Sequence, residues 1–330
     1  MIWLAWRQHR KQALFTAVAL VVLAALMIPS GIAMHNTYSD KGLAKCVTKL
    51  GSGEGPAFTD QCHNALSQFS NQYNPWLSLG ILFLILPLLV GLFWGAPLVA
   101  REVEHGTHRL VWTQGVSRLH WALVKFGLVG AVAVVVGVVY GLGMSWWIWP
   151  LTHIGEQSRF SVFFFDMAGL VPIGYTLFAV ALGIFVGTVS RKVLPAMAFT
   201  LVGFALLRIV MTVLARPHYV PARALKTAFS GGDPGQSAAT LGGWVLKRGI
   251  RNAAGHMVAP NASIGCPPGV GDPGGGDCGA NLGFGRGAYN WTLFQPADRY
   301  WLFQSIETGI FLAISALLLF LAVRQIRRIA

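Results

Sequence analysis

The chain has 330 residues, of which 54% are hydrophobic and 11% charged, where a soluble domain carries about a quarter charged residues. Its 25 Lys and Arg against 12 Asp and Glu give a formal net charge of +13. No basic, aromatic-interleaved soluble segment accompanies that excess, which argues against a nucleic-acid partner and for cations holding loops on the anionic inner face of a membrane; the fold class expected is an all-α polytopic membrane protein.

In chain order, residues 1–12 (MIWLAWRQHRKQ) set Trp3 and Trp6 three apart with Arg7, Arg10 and Lys11 beside them. This suits an interfacial N-terminal helix against membrane lipid, with plain aromatic-belt anchoring an equal reading. The apolar run 13–34 is too long for a signal-peptide core and no small-residue cleavage site closes it, so it reads as an uncleaved first span. Further spans are expected at 76–100, 122–147, 168–189, 193–215 and 303–323, because a helix rising ~1.5 Å per residue needs ~20 apolar residues to cross. Within the connection 148–167, an interfacial or re-entrant piece is expected near Phe163 to Asp166. Lys and Arg crowd 1–12, 101–121, Arg191, Lys192 and the tail 324–330, and the only acids there are Glu102 and Glu104. Both termini are therefore expected in the cytoplasm.

That topology leaves 35–75 and 216–302 outside. The second of these holds 17 of the chain's 39 glycines and half of its prolines, and its stretch GCPPGVGDPGGGDCGANLGFGRG opposes helix. It is expected as an irregular external domain, with one short amphipathic helix over TLGGWVLKRGIRNAAGHM. Cys46, Cys62, Cys266 and Cys278 permit three pairings; the within-loop one, Cys46–Cys62 and Cys266–Cys278, is expected on the oxidising side. A metal site is the rival, since His63 adjoins Cys62, but the repeated CxxC spacing of a zinc site is missing.

The chain offers little to catalysis. It has no GxxxxGK[ST], no HExxH and no GxSxG. Apart from Lys125 at the cytoplasmic start of 122–147, two charges fall inside expected spans, Arg208 and Glu307, at matching depths. They are expected to form an ion pair, either locking two helices or lining a polar route. Gly91–Gly95, Gly137–Gly141 and Gly183–Gly187 are small-xxx-small steps for intrachain packing or a subunit interface.

The segment REVEHGTHRLVWTQGVSRLHWALVK, from 101 to 125, is polar between two apolar runs. Span two should run on to His105 and break at Gly106, Thr107 should cap a short helix HRLVWTQ that ends at Gly115, and Ser117 should cap span three. The alternative is a plain amphipathic hairpin on the headgroups.

Glu102-Val-Glu104-His-Gly106-Thr107 resembles the E-x-E-x-G-T stretch after the second span of type-2 ABC exporter permeases. WRQHR, EHGTHRLVWTQGVSRLHWALVK and QPADRYWLFQSIETGIFL are similar to actinobacterial members of that family. The resemblance implies six spans, a bacterial plasma-membrane location, a second permease copy giving a homodimer, and two separate ABC ATPase subunits that bind ATP and Mg, so that this chain needs no cofactor. It assigns Glu102 and Glu104 to the junction, Gly106 to the bend, and Thr107, His108, Arg109, Leu110, Val111 and Trp112 to a cytoplasmic coupling helix. The function so implied is efflux of a drug-, lipid- or peptide-like substrate. A membrane sensor or scaffold with a ligand-binding external domain is the alternative, and an integral membrane enzyme using Glu102, Glu104, His105 and His108 is a third.

Overall fold

The computed structural model describes residues 2–49, 56–106, 117–154, 158–229, 242–265, 279–280 and 282–328. Ten helices dominate them: α1 (Ile2–Asp40), α2 (Leu43–Lys49), α3 (Pro56–Leu84), α4 (Leu86–Val90), α5 (Ala96–Glu104), α6 (Arg118–His153), α7 (Val162–Met167), α8 (Val171–Ser190), α9 (Val193–Val210) and α10 (Tyr300–Arg328). Among the described residues, six stretches are long and apolar enough to cross a membrane: Thr16–Asp40, Leu82–Glu104, Arg118–His153, Val171–Ser190, Val193–His218 and Ala297–Arg328.

α8 is the hub. It packs against α5, α6, α9 and α10, and the glycine steps explain how closely. A Cβ on Gly91 or Gly95 would stand 2.6 Å from the backbone of Ala179 or Val180, and one on Gly183 would stand 2.6 Å from the Ala96 nitrogen. Gly137 and Gly141 of α6 meet Ile173 and the Gly169 carbonyl in the same way. Backbone-to-backbone approach supplies the attraction that lipid, as apolar as the side chains, does not. All three steps are thus occupied within the chain.

The first span packs more loosely. α1 meets the bundle through a few polar ties, Trp94 Nε1 donating to Thr16 Oγ1 at 2.9 Å and Trp147 Nε1 to Ser30 Oγ at 2.9 Å. Apolar space remains between α1 and the second span, in pockets lined by Leu23, Leu82, Leu86, Phe93 and Val136. Residues 2–12 are continuous with α1, so the backbone does not set them apart as a separate interfacial helix. Arg10 is exposed; the side chains of Trp3, Trp6 and Arg7 lie outside the described part.

Beyond α1 the 35–75 segment is largely helical, and Cys46–Cys62 staples α2 to α3 across 16 residues, with Cα atoms 5.4 Å apart. Cys266 and Cys278 lie outside the described residues.

The region after α9 corrects two expectations. Its described part is not irregular: Arg223–Thr227 (β1), Trp244–Arg251 (β2), Met257–Pro260 (β3) and Tyr289–Gln295 (β4) form an antiparallel sheet in the order β1-β4-β2-β3. The expected helix over TLGGWVLKRGIRNAAGHM is instead β2, a turn and the start of β3. Trp, Val and Ile favour a pleated surface, and Gly249 inside the run weakens helix. Asn252 and His256 then close the turn by Asn252 N–H donating to the His256 carbonyl at 3.1 Å.

Candidate functional site

Charges gather at two levels of this apolar bundle. At the end opposite the sheet, α5 stops at Glu104 and the chain turns away through His105 and Gly106, whose φ of +67° lies where glycine is preferred. Residues 107–116 follow, outside the described part, so Thr107, His108, Arg109, Leu110, Val111 and Trp112 are not located. Ser117 then caps α6, its hydroxyl accepting from His120 N–H at 3.2 Å.

The two junction carboxylates are both engaged. Glu102 pairs with Lys125, buried in the second turn of α6, and the Lys125 ammonium lies 4.7 Å from the Trp121 ring centroid. Glu104 Oε2 accepts the Val193 N–H at 2.9 Å. Val193 opens α9, whose own cap residue, Lys192, makes no side-chain cap. A carboxylate from another helix therefore satisfies a donor at that helix start, where the backbone dipole also favours negative charge. The last turn of the second span is tied directly to the third span and the fifth.

The second level lies inside the bundle near the sheet. Five elements converge there. Asp166 comes from α7, Tyr175 from α8, Arg208 from α9, Arg216 from the 3-10 turn after it, and Glu307 from α10, seven residues or ~10 Å inside that helix. Arg216 Nη2 reaches Asp166 at 2.6 Å and Glu307 Oε1 at 2.8 Å, while its Nε donates to Glu307 Oε2 at 2.9 Å. Arg208 Nη2 donates to Asp166 Oδ2 at 2.5 Å. The Tyr175 hydroxyl bonds both carboxylates, that of Tyr219 donates to Glu307 at 3.2 Å, and the Arg208 guanidinium stacks 3.8 Å from the Tyr175 ring centroid. Burial, then the facing Glu307 carboxylate, raises the Tyr219 phenol above its usual range, which keeps it a donor.

The expected Arg208–Glu307 pair is therefore corrected. Glu307 takes Arg216 and Arg208 takes Asp166. The reason is a π turn at Met211–Ala215. Eight residues on a regular α-helix would put Arg208 and Arg216 ~80° apart; the wider turn absorbs the extra residue and brings both to one face. The Arg216 guanidinium then reaches into the bundle and chelates Glu307.

Two guanidinium groups face two carboxylates, so the network is formally neutral, as low-dielectric burial demands. Gln304 completes it, accepting from Leu170 and Val171 N–H at 2.9 Å each and donating to the Phe165 carbonyl at 2.9 Å. It thereby holds the break between α7 and α8 against α10. Among the described residues no three His, Cys, Asp or Glu side chains converge as a metal site would require. Asp166, Tyr175, Arg216, Tyr219, Gln304 and Lys125 were not singled out from the sequence. The lone acid in VFFFDMAGLV and the arginine closing LLRIVMTVLAR were the available signals.

A family model described as ABC-2 membrane transporter related matches residues 17–216. The match takes in more than half of the chain, including the junction at Glu102–Gly106 and the Asp166, Arg208 and Arg216 arms of the network, but not the sheet or Glu307. No curated protein and no solved structure gives a significant match.

Proposed function

The chain belongs to the ABC-2 membrane transporter related family and is a transporter membrane subunit; from that premise we propose that it is the permease of an ATP-driven exporter in the bacterial plasma membrane. In this reading both termini and the 101–121 segment face the cytoplasm. Two copies of the permease pair with two ATPase subunits, which bind ATP and Mg, and the cargo is drug-, lipid- or peptide-like.

The observation that supports the reading most is the double tie at Glu102 and Glu104. A force applied to residues 107–116 by a closing ATPase dimer would enter the bundle at the ends of spans two and three. Through the Glu104–Val193 hydrogen bond it would also reach the start of span five, so three spans would move from one contact. At the far end the Asp166–Tyr175–Arg208–Arg216–Glu307 network joins spans four, five and six, and it is the element such a movement must carry along or rearrange.

The test is to purify the tagged protein from its native membrane in mild detergent, identify what co-elutes, and measure ATP hydrolysis after reconstitution in lipid. The expected result is a stoichiometric P-loop ATPase that Gly106→Pro or Glu104→Lys releases, with the permease still inserted. Purification of the chain alone, with no hydrolysis, would refute the coupling reading and favour a sensor or scaffold.

A further inference from the structure

Among the described residues, one face of the sheet carries a small core and the other does not. Alternation along β4 sends Asn290, Thr292 and Phe294 to one side and Tyr289, Trp291 and Leu293 to the other. The first side is packed: Ile250 forms a small core with Phe229 and Ala288, with Ile264 and Phe284 against it. Asn290 also exchanges hydrogen bonds of 3.1 and 2.8 Å with the Ile264 backbone.

On the other side the register sets Lys226 beside Trp291, Lys247 beside Leu293 and Arg251 beside Tyr289. The Arg251 guanidinium lies 4.0 Å from the Trp291 ring centroid, and the Lys226 ammonium 5.2 Å from that of Tyr289. Lys226 and Lys247 are exposed, and both rings are half-exposed. With strands ~4.8 Å apart and ~3.3 Å per residue along them, the three cations spread over ~10 Å across the strands and ~13 Å along them. None of the four strands contains an acid.

The direction of the strands narrows the partner. β4 runs from Tyr289 to Gln295 and leads through Ala297–Arg299 into α10, so its Gln295 end is the one next to the bundle, and at ~3.3 Å per residue the Tyr289 end stands up to about 20 Å further out. A headgroup layer would meet only its foot, whereas a chain molecule can lie along all of it. Planar rings flanked by cations suit alternating sugar rings and acidic groups, the rings stacking and the cations pairing with the anions. We propose that this face binds an anionic polysaccharide. The proposal takes only its outward orientation from the exporter reading, and its test needs neither ATPase nor transport.

The full-length protein in detergent is titrated into labelled dextran sulfate, uncharged dextran and a single-stranded oligothymidylate. Dextran sulfate is expected to bind, weakening at least about tenfold as ionic strength approaches 1 M, and uncharged dextran is expected not to. Lys226→Gln with Lys247→Gln and Arg251→Gln should weaken binding by an order of magnitude, and Trp291→Ala should weaken it severalfold. Arg223→Gln with Arg248→Gln, two exposed arginines on the side of the sheet that carries the core, should leave it within about a factor of two. The single exposed change Lys226→Gln should still lower affinity, which separates lost binding from lost folding. Equal loss from the packed-side pair, indifference to Trp291, or tighter binding of the oligonucleotide would each overturn the proposal.

Discussion

Consider replacing Arg216 and Glu307 by methionine, singly and together. Arg216 is 1% exposed and Glu307 is fully buried, and two charged hydrogen bonds of 2.8 and 2.9 Å join them. Glu307→Met alone leaves two guanidinium groups on Asp166, one net buried positive charge; Arg216→Met alone leaves Glu307 held only by tyrosine hydroxyls. Breaking one side of such a pair costs about 3–5 kcal/mol, which in a chain of this size lowers the melting temperature on the order of 10 °C. The double substitution restores balance, since Asp166 and Arg208 remain paired, and should cost less than the sum of the two singles by about 2 kcal/mol. Melting of the purified protein in detergent across the four variants reads this coupling. The Arg208–Glu307 cycle, whose members share no hydrogen bond, should couple less. If Arg208 and Glu307 couple more strongly than Arg216 and Glu307, the assignment of partners is wrong and so is the role given to the π turn.

Four other outcomes are expected. Gly183→Val places a side chain 2.6 Å from the Ala96 backbone and should abolish monodisperse protein in gel filtration, whereas Gly127→Ala, with nothing within 4 Å, should not. Gly106→Ala meets no neighbour either, so it should cost only about 1–2 kcal/mol of left-handed backbone strain and leave ATPase co-elution intact, unlike Gly106→Pro. Glu104→Gln keeps an acceptor for Val193 N–H and should retain more ATP hydrolysis than Glu104→Ala, which removes a cap worth about 1 kcal/mol; equal activities would detach that hydrogen bond from coupling. Cys46→Ser with Cys62→Ser opens a loop whose closure is worth about 3 kcal/mol, seen as a lower melting temperature that reductant reproduces in the parent protein.

What could be read from the sequence follows from the range of each signal. Helices long and apolar enough to cross leave a mark in every window, and the break at Gly106 and the cap at Ser117 are written in single residues. The sheet was missed because its strands are short and half-buried. YNWTLFQ alternates, yet glycine-rich neighbours outweighed that alternation in a reading by composition. The charge network failed differently. Arg208 and Glu307 were recognised as costly and matched by depth, which presumes regular helices. Depth along a helix survives a π turn almost unchanged, but azimuth does not: one inserted residue rotates everything after it by ~100°. Within MTVLA no residue announces that insertion; the mark lies just beyond it, in Pro217, which lacks the N–H a regular helix would give the Val213 carbonyl. Arg216 then enters the bundle from what a hydropathy count treats as a span's edge, and Asp166 enters from what it treats as a loop. Buried charges must balance, so the sequence does carry one usable constraint. A lone matched pair, in a region with another acid and another arginine within ten residues of a span end, should be read as a possible network before it is read as a bridge.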